Sequence, residues 1–286
     1  MPCVPSHELG WQPDLADHRD FSLSDASVAA LLRKLKLKTR KARALPEAVD
    51  WREYCGPVED QRDLGTSPAH ACAAMIQQFE RRASGRLIRP SRLFIDYTAR
   101  RLAGVSGRGG ISLRMALKAV ARCGIPPEVH WPCDAAHVGR EPDAFTYSFT
   151  RDVRTLRYLR LDSRPTQVGP TLDVVRSFLS AGFFVALGFP VSAAVTDVAE
   201  IPFPTAADSI LGGQAVTAVG YDDKARIRSD KGALLVRNSW GSSWGDQGFG
   251  WLPYAYIRER MASDFWTLLS PRWLRSGEFE MPATDP

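Results

Sequence analysis

The stretch VRNSWGSSWGDQGFGWLPYAYI, Val236 to Ile257, reads as two short apolar runs held apart by a Gly-, Ser- and Trp-rich loop. The runs are GALLVRNSW and GFGWLPY, of strand length and bounded by glycines, so the segment reads as paired strands. Working outward, TLRYLRL, FFVALGF, AVTAVGY and DFWTLL repeat this pattern from about Thr150 onward, with one helix, TLDVVRSFLSAG, between them. Toward the N-terminus the pattern changes. SPAHACAAMIQQFERRASG and SLRMALKAVARCG have helical spacing, and each ends at a glycine. The expected class is therefore α+β, with a helical lobe and an antiparallel sheet or barrel lobe and a cleft between them.

Four segments are expected: an N-terminal arm over 1–46, a helical lobe over 47–149, a β-rich lobe over 150–272 and a tail over 273–286. Within the arm, SDASVAALLRKL is a short amphipathic patch with Ser24 or Asp25 as its cap. It runs into LLRKLKLKTRKAR, Leu31 to Arg43, with seven basic residues and no acid. This run carries more positive charge than the whole net charge of +5, so the body without it is slightly acidic. A run of this kind is a solvated arm or contacts phosphates or an anionic surface. Nucleic acid is not the expected partner.

At 286 residues, with 44% apolar and 24% charged residues, the chain has the composition of a soluble globular protein. Five cysteines, Cys3, Cys55, Cys72, Cys123 and Cys133, are too irregular for a disulfide framework or a zinc site, so free thiols, no metal and no cofactor are expected. The start MPCVPSHELGWQPD shows no basic region followed by an apolar run, which favours the cytoplasm. Ser177 to Thr196 is uncharged for 20 residues but is broken by glycine and proline, so a buried strand is expected there and no membrane span.

Generic phosphate, dinucleotide and zinc-protease motifs are absent from the sequence. Four segments instead resemble, in order, the papain family of cysteine proteases, whose bacterial members carry similar stretches. Asp50-Trp51-Arg52, Pro57-Val58 and Gln61 are similar to the start of a mature family member. Gly109 and Gly110, followed by a helix and IPPEVHWP, resemble the substrate-groove glycines. ILGGQAVTAVGYDD, Ile210 to Asp223, resembles the strand that delivers the catalytic His, and NSWGSSWGDQGF resembles the family hallmark carrying the Asn that orients it. GWQPDLADHRDF is similar to a short N-terminal extension of some bacterial members.

The resemblance implies a two-lobed papain-like fold and departs from the family where the chemistry sits. The nucleophile signature C-G-[SA]-C-[WY] places Ser67 at the catalytic Cys, Pro68 at its aromatic neighbour and Leu64 at the first Cys. Gln214 stands at the catalytic His. Gln214 lies 147 residues beyond Ser67, and Asn238 lies 171 beyond it, against ~130 to 150 for both partners. A charged hairpin, DDKARIRSDK, accounts for the extra length.

A serine hydroxyl needs a base, and glutamine cannot accept a proton. The five histidines are His7, His18, His70, His130 and His137, so none lies in the sheet-rich half. His70 shares a helix with Ser67 but should point into the lobe core. Ser67 before Pro68 reads as a helix N-cap, Gln61 as an oxyanion-hole amide able to bind a carbonyl, and Cys72 as a small buried residue. Asn238 should bond Gln214 or backbone beneath Trp240.

The expectation is an inactive papain-fold homologue that binds a peptide or protein in the cleft, with its own N-terminal arm as one candidate occupant. Gly109, Gly110, Ala215, Trp240 and Trp244 are the expected groove residues. The rival readings are a residual Ser67-dependent hydrolase or acyltransferase, and binding of an anionic surface or nucleic acid through residues 31–43.

Overall fold

The computed structural model describes residues 7–15, 17–34, 45–107, 109–150, 156–162 and 168–270. Most of the basic run, residues 35–43, and the tail expected over 273–286 lie outside them. Asp25 carries the helix start, because its backbone carbonyl accepts from Ala29 N at 2.8 Å and opens α1, Ala26–Lys34. Its carboxylate turns back to Ser22 N at 2.6 Å instead of capping forward.

The helical half is built around α2, Ser67–Ser84. Pro68 sits in its first turn, where a missing N–H costs nothing. Gly85 ends it in the left-handed region at φ +68°, sending its N–H back to Arg81 O. Ala69, Cys72, Met75, Ile76 and Phe79 are all buried, as are the polar Gln77 and Gln78. A helix so nearly enclosed is a central element rather than a surface one. It is joined by α3, Arg92–Ala103, and α4, Leu113–Cys123, each capped by a serine: Ser91 Oγ accepts from Phe94 N and Ser112 Oγ from Met115 N. A short helix, α5, Ala144–Ser148, follows.

The other half is one antiparallel sheet. Its strands are β2, Arg157–Arg160; β3, Val185–Ser192; β4, Ile210–Ile227; β5, Asp230–Arg237; β6, Phe249–Pro253; and β7, Ser263–Leu269. They lie in the order β2-β7-β3-β4-β5-β6. One more strand, β1, Ala48–Asp50, pairs with β4 from within the segment expected to be helical. Three residues are too few to show a period in sequence. The helix α6, Val168–Ser180, precedes β3, and α7, Ala255–Arg258, precedes β7.

The uncharged stretch from Ser177 resolves into the end of α6 and β3, and among the described residues no helix is long and apolar enough to cross a membrane. The two halves share one apolar core: Met75 and Phe79 of α2 cluster with Phe183, Phe184, Val216 and Trp266 from the sheet side. Thr217 Oγ1 of β4 donates to Ala71 O of α2 at 3.1 Å, fixing the helix against the strand that carries Gln214.

Candidate functional site

Ser67, Gln214, Gln61 and Asn238, separate in sequence, converge where the head of α2 meets β4 and the end of β5. Ser67 is fully buried and its hydroxyl oxygen accepts from Ala215 N at 3.2 Å. It does not cap the helix: Thr66 occupies that position, without a side-chain bond, and Ser67 lies one residue inside. The Ser-Pro pair allowed either register, and pairing with β4 turned the hydroxyl across to the sheet.

Gln214 Nε2 lies 2.9 Å from Asn238 Oδ1, 3.1 Å from Gln61 Oε1 and 3.2 Å from Ser239 Oγ. Two amide protons face three acceptors, so not all three bonds form fully at once. Gln214 Oε1 and Asn238 Nδ2 are buried with no hydrogen-bond partner among the described residues. Ser239, which sequence reasoning passed over, clamps Gln61 twice: its Oγ donates to Gln61 Oε1 at 2.5 Å and its carbonyl accepts from Gln61 N at 2.7 Å.

All five imidazoles are engaged elsewhere. His70 Nδ1 lies 3.1 Å from Thr66 O and 3.2 Å from Thr66 Oγ1, and burial pushes its pKa down to about 3, so it is neutral. It lines a small pocket together with Glu59, Arg92, Arg237 and Asn238. His7 bonds Asp60 at 3.0 Å and stacks on Trp240, with ring centroids 5.6 Å apart. His18 pairs with Asp17, His137 with Asp134, and His130 stacks on Phe149. Cys72 is fully buried and its thiol pKa is raised by burial.

The cleft beside this cluster holds the chain's own residues 7–14. Gln61 Nε2 donates to Glu8 O at 2.8 Å. Ile111 N donates to Gly10 O at 3.0 Å, Gln12 N to Ile111 O at 3.1 Å and Trp11 N to Gly213 O at 2.9 Å. The segment thus forms a parallel bridge between Trp11 and Ile111 on one side and bonds β4 on the other.

Of the expected groove residues, Gly110 and Trp240 meet the segment: a Cβ on Gly110 would fall 2.7 Å from Gly10 O, and Trp240 stacks on His7. Gly109 is exposed and its carbonyl accepts from Arg100. Ala215 serves Ser67, as above. Trp244 is buried, packs edge-on to Trp240 and donates to Thr196 O, so it forms wall rather than rim.

Trp11 is buried, with its ring over Gly188 of β3 and against Gly213 of β4. Its Nε1 donates to Asp264 Oδ2 at 3.2 Å, and Asp14 N donates to the same oxygen at 2.9 Å. Asp264 sits at φ +57°, rare for a residue other than glycine, beside the irregular β3–β7 register. Burial pushes its carboxyl up to about 6, although Arg160 Nη2 donates to Oδ1 at 2.9 Å. Arg114 ties down the rest by reaching Asp14, Asp20 and Leu15 O. Gly188, Gly213 and Asp264 lie on three strands, and only their pairing brings them together.

Comparison with known proteins agrees with this architecture. A family model described as papain family cysteine protease matches residues 202–261. An uncharacterized peptidase C1-like protein, L477, of Acanthamoeba polyphaga mimivirus is 31% identical over 242 residues, covering 80% of this chain and 72% of that one. The chain belongs to the papain family. Caricain of Carica papaya is 28% identical over 211 residues, 71% of this family member and 54% of caricain. The solved structure of xylellain, a cysteine protease from Xylella fastidiosa, superposes with a TM-score of 0.73 at 30% identity, over 93% of this papain-family chain and 97% of that one.

Proposed function

We propose that this papain-family chain does not hydrolyse peptide bonds and that its cleft is a peptide-binding groove. The observation that carries the reading is that no imidazole hydrogen-bonds Ser67, while the five present all have other engagements. Ser67 stands where the family nucleophile would be and Gln214 where the base would be. The Gln214–Asn238 bond then replaces the one between base and orienting amide. Without a base the serine hydroxyl stays protonated, and losing nucleophile or base in a comparable machine costs about 10⁶-fold in turnover.

What persists is binding geometry. Gln61 holds a carbonyl, and Ile111 and Gly213 hold extended backbone. A partner would have to displace residues 7–14 to use these groups. The test is incubation with a fluorophosphonate probe and a fluorogenic peptide library. No labelling and no hydrolysis are expected. Labelling abolished by Ser67→Ala would overturn the reading.

A further inference from the structure

Three glycines make a pinch through which the bound segment threads. A Cβ on Gly10 would lie 1.6 Å from Gly65 O, and one on Gly110 would lie 2.7 Å from Gly10 O. Both obstructions are backbone, so neither can rotate away. Gly65 is itself left-handed at φ +61°. Only a glycine in the bound segment passes between these walls.

The next residue meets a pocket shaped by missing side chains. A Cβ on Gly188 would lie 1.9 Å from the Trp11 ring, and one on Gly213 would lie 2.6 Å from it. The flat space between them suits an aromatic plane. At its floor the Asp264 carboxylate accepts from the indole Nε1, and Arg160 holds the other carboxylate oxygen. Phenylalanine would leave that bond unmade, and a buried acceptor without its donor is penalised.

We infer that the cleft recognises a Gly-Trp pair in an extended segment, and that a separate polypeptide displaying such a pair is its ligand. This rests on reading the cleft as a peptide groove. The pair is read by Gly65 and Gly110 for its first residue and by Gly188, Gly213 and Asp264 for its second. Main-chain bonds to Ile111 and Gly213 fix its direction without regard to sequence. The chain's own Gly10-Trp11 holds the same site. A tethered segment competes at an effective concentration of about millimolar, so an outside ligand binds weakly until the tethered copy is weakened.

The experiment titrates full-length Trp11→Ala with a labelled peptide of the sequence Glu8 to Asp14, ELGWQPD, alongside the unaltered chain. Saturable binding to Trp11→Ala is expected, at least about 100-fold tighter than to the unaltered chain. Replacing the peptide's Trp by Phe should weaken it by about 10-fold, and replacing its Gly by Ala by more. The full chain with Gly10→Ala is a second way of opening the groove should Trp11→Ala fail to fold, and circular dichroism checks both.

No saturable binding by a folded variant, or binding indifferent to both peptide changes, overturns the inference and leaves the absence of hydrolysis standing. Cleavage of the bound peptide, read by mass spectrometry, overturns the inactive reading and leaves recognition standing.

Discussion

Gln61 Nε2 and the backbone carbonyl of Glu8 are 2.8 Å apart, so the side-chain amide of Gln61 is engaged by the chain's own segment. That bond lies at the start of the inserted segment, two residues before the glycine pinch. It therefore governs how readily the segment lifts from its outer end.

Gln61→Ala removes the donor to Glu8 O and the acceptor of the Ser239 hydroxyl. The cost is about 1 to 3 kcal/mol, concentrated on local opening of residues 8–12. Amide exchange at Trp11 and Gln12, which donate to Gly213 O and Ile111 O, should speed up about 5- to 100-fold. Hydrogen exchange read by mass spectrometry checks this, and unchanged protection would show that the segment is held without Gln61.

Gly188→Ala places a methyl inside the Trp11 ring's volume. Overpacking of a tight site costs about 1 to 3 kcal/mol or more. The segment holding Trp11 joins its neighbours by an isolated bridge while Gly188 sits inside a paired strand, so the segment should yield before the sheet does. Limited proteolysis should then cut within residues 8–15 while the body stays intact, and cleavage no faster than in the unaltered chain would count against that order.

The division between helices and sheet was legible because it rests on period. α2 and α4 show helical spacing ended by Gly85 and Gly124, and β3, β5, β6, β7 and the middle of β4 are short apolar runs between glycines and aspartates, although β4 runs on to Ile227 through the charged DDKAR. What was not legible depends on register. The Trp11 pocket takes Gly188 from β3, Gly213 from β4 and Asp264 from β7, and no local pattern in GFP, GGQ or SDF says that they meet. Ser67 shows the same limit from another side. Its cap reading followed from Ser-Pro alone, but the helix starts one residue earlier and the hydroxyl answers to Ala215.

His70 makes the acid side of the stability curve steep. Its pKa falls to about 3 in the folded chain from an ordinary value near 6.5, so between those pH values the unfolded chain binds the extra proton. Stability present above pH 6.5 is lost as the pH falls, by roughly 3 kcal/mol on reaching pH 4. Asp264 acts in the opposite sense. Its raised value of about 6 adds stability as the pH falls through 6. Denaturant melts from pH 7 to 4 should be flatter for His70→Gln and steeper for Asp264→Asn than for the unaltered chain, and parallel curves would refute the assignment.

Thiol reactivity separates packing from chemistry. Burial raises the Cys72 thiol and pushes Cys55 up to about 11. A thiolate is the reactive form, so at pH 8 neither residue should react with Ellman's reagent on the timescale of seconds that an exposed thiol shows. Peptide mapping after iodoacetamide treatment of the native chain would locate any modified site, and rapid labelling of Cys72 would mean that the head of α2 opens.

The strongest test of the site assignment is to rebuild it. Ser67→Cys with Gln214→His supplies a thiol at a helix N-terminus, which lowers thiol pKa, and an imidazole beside Asn238, whose Oδ1 already receives the amide of Gln214 at 2.9 Å. That pair alone should remain nearly silent, because Glu8 occupies Gln61 and Trp11 holds the neighbouring pocket. Adding Trp11→Ala should raise hydrolysis of a fluorogenic peptide by about 100-fold over the double variant, as the tethered competitor is weakened. Equal rates in the double and triple variants would show that the segment does not block the cleft. A folded triple variant with no activity would show that Ser67 and Gln214 do not stand at the positions of the nucleophile and base.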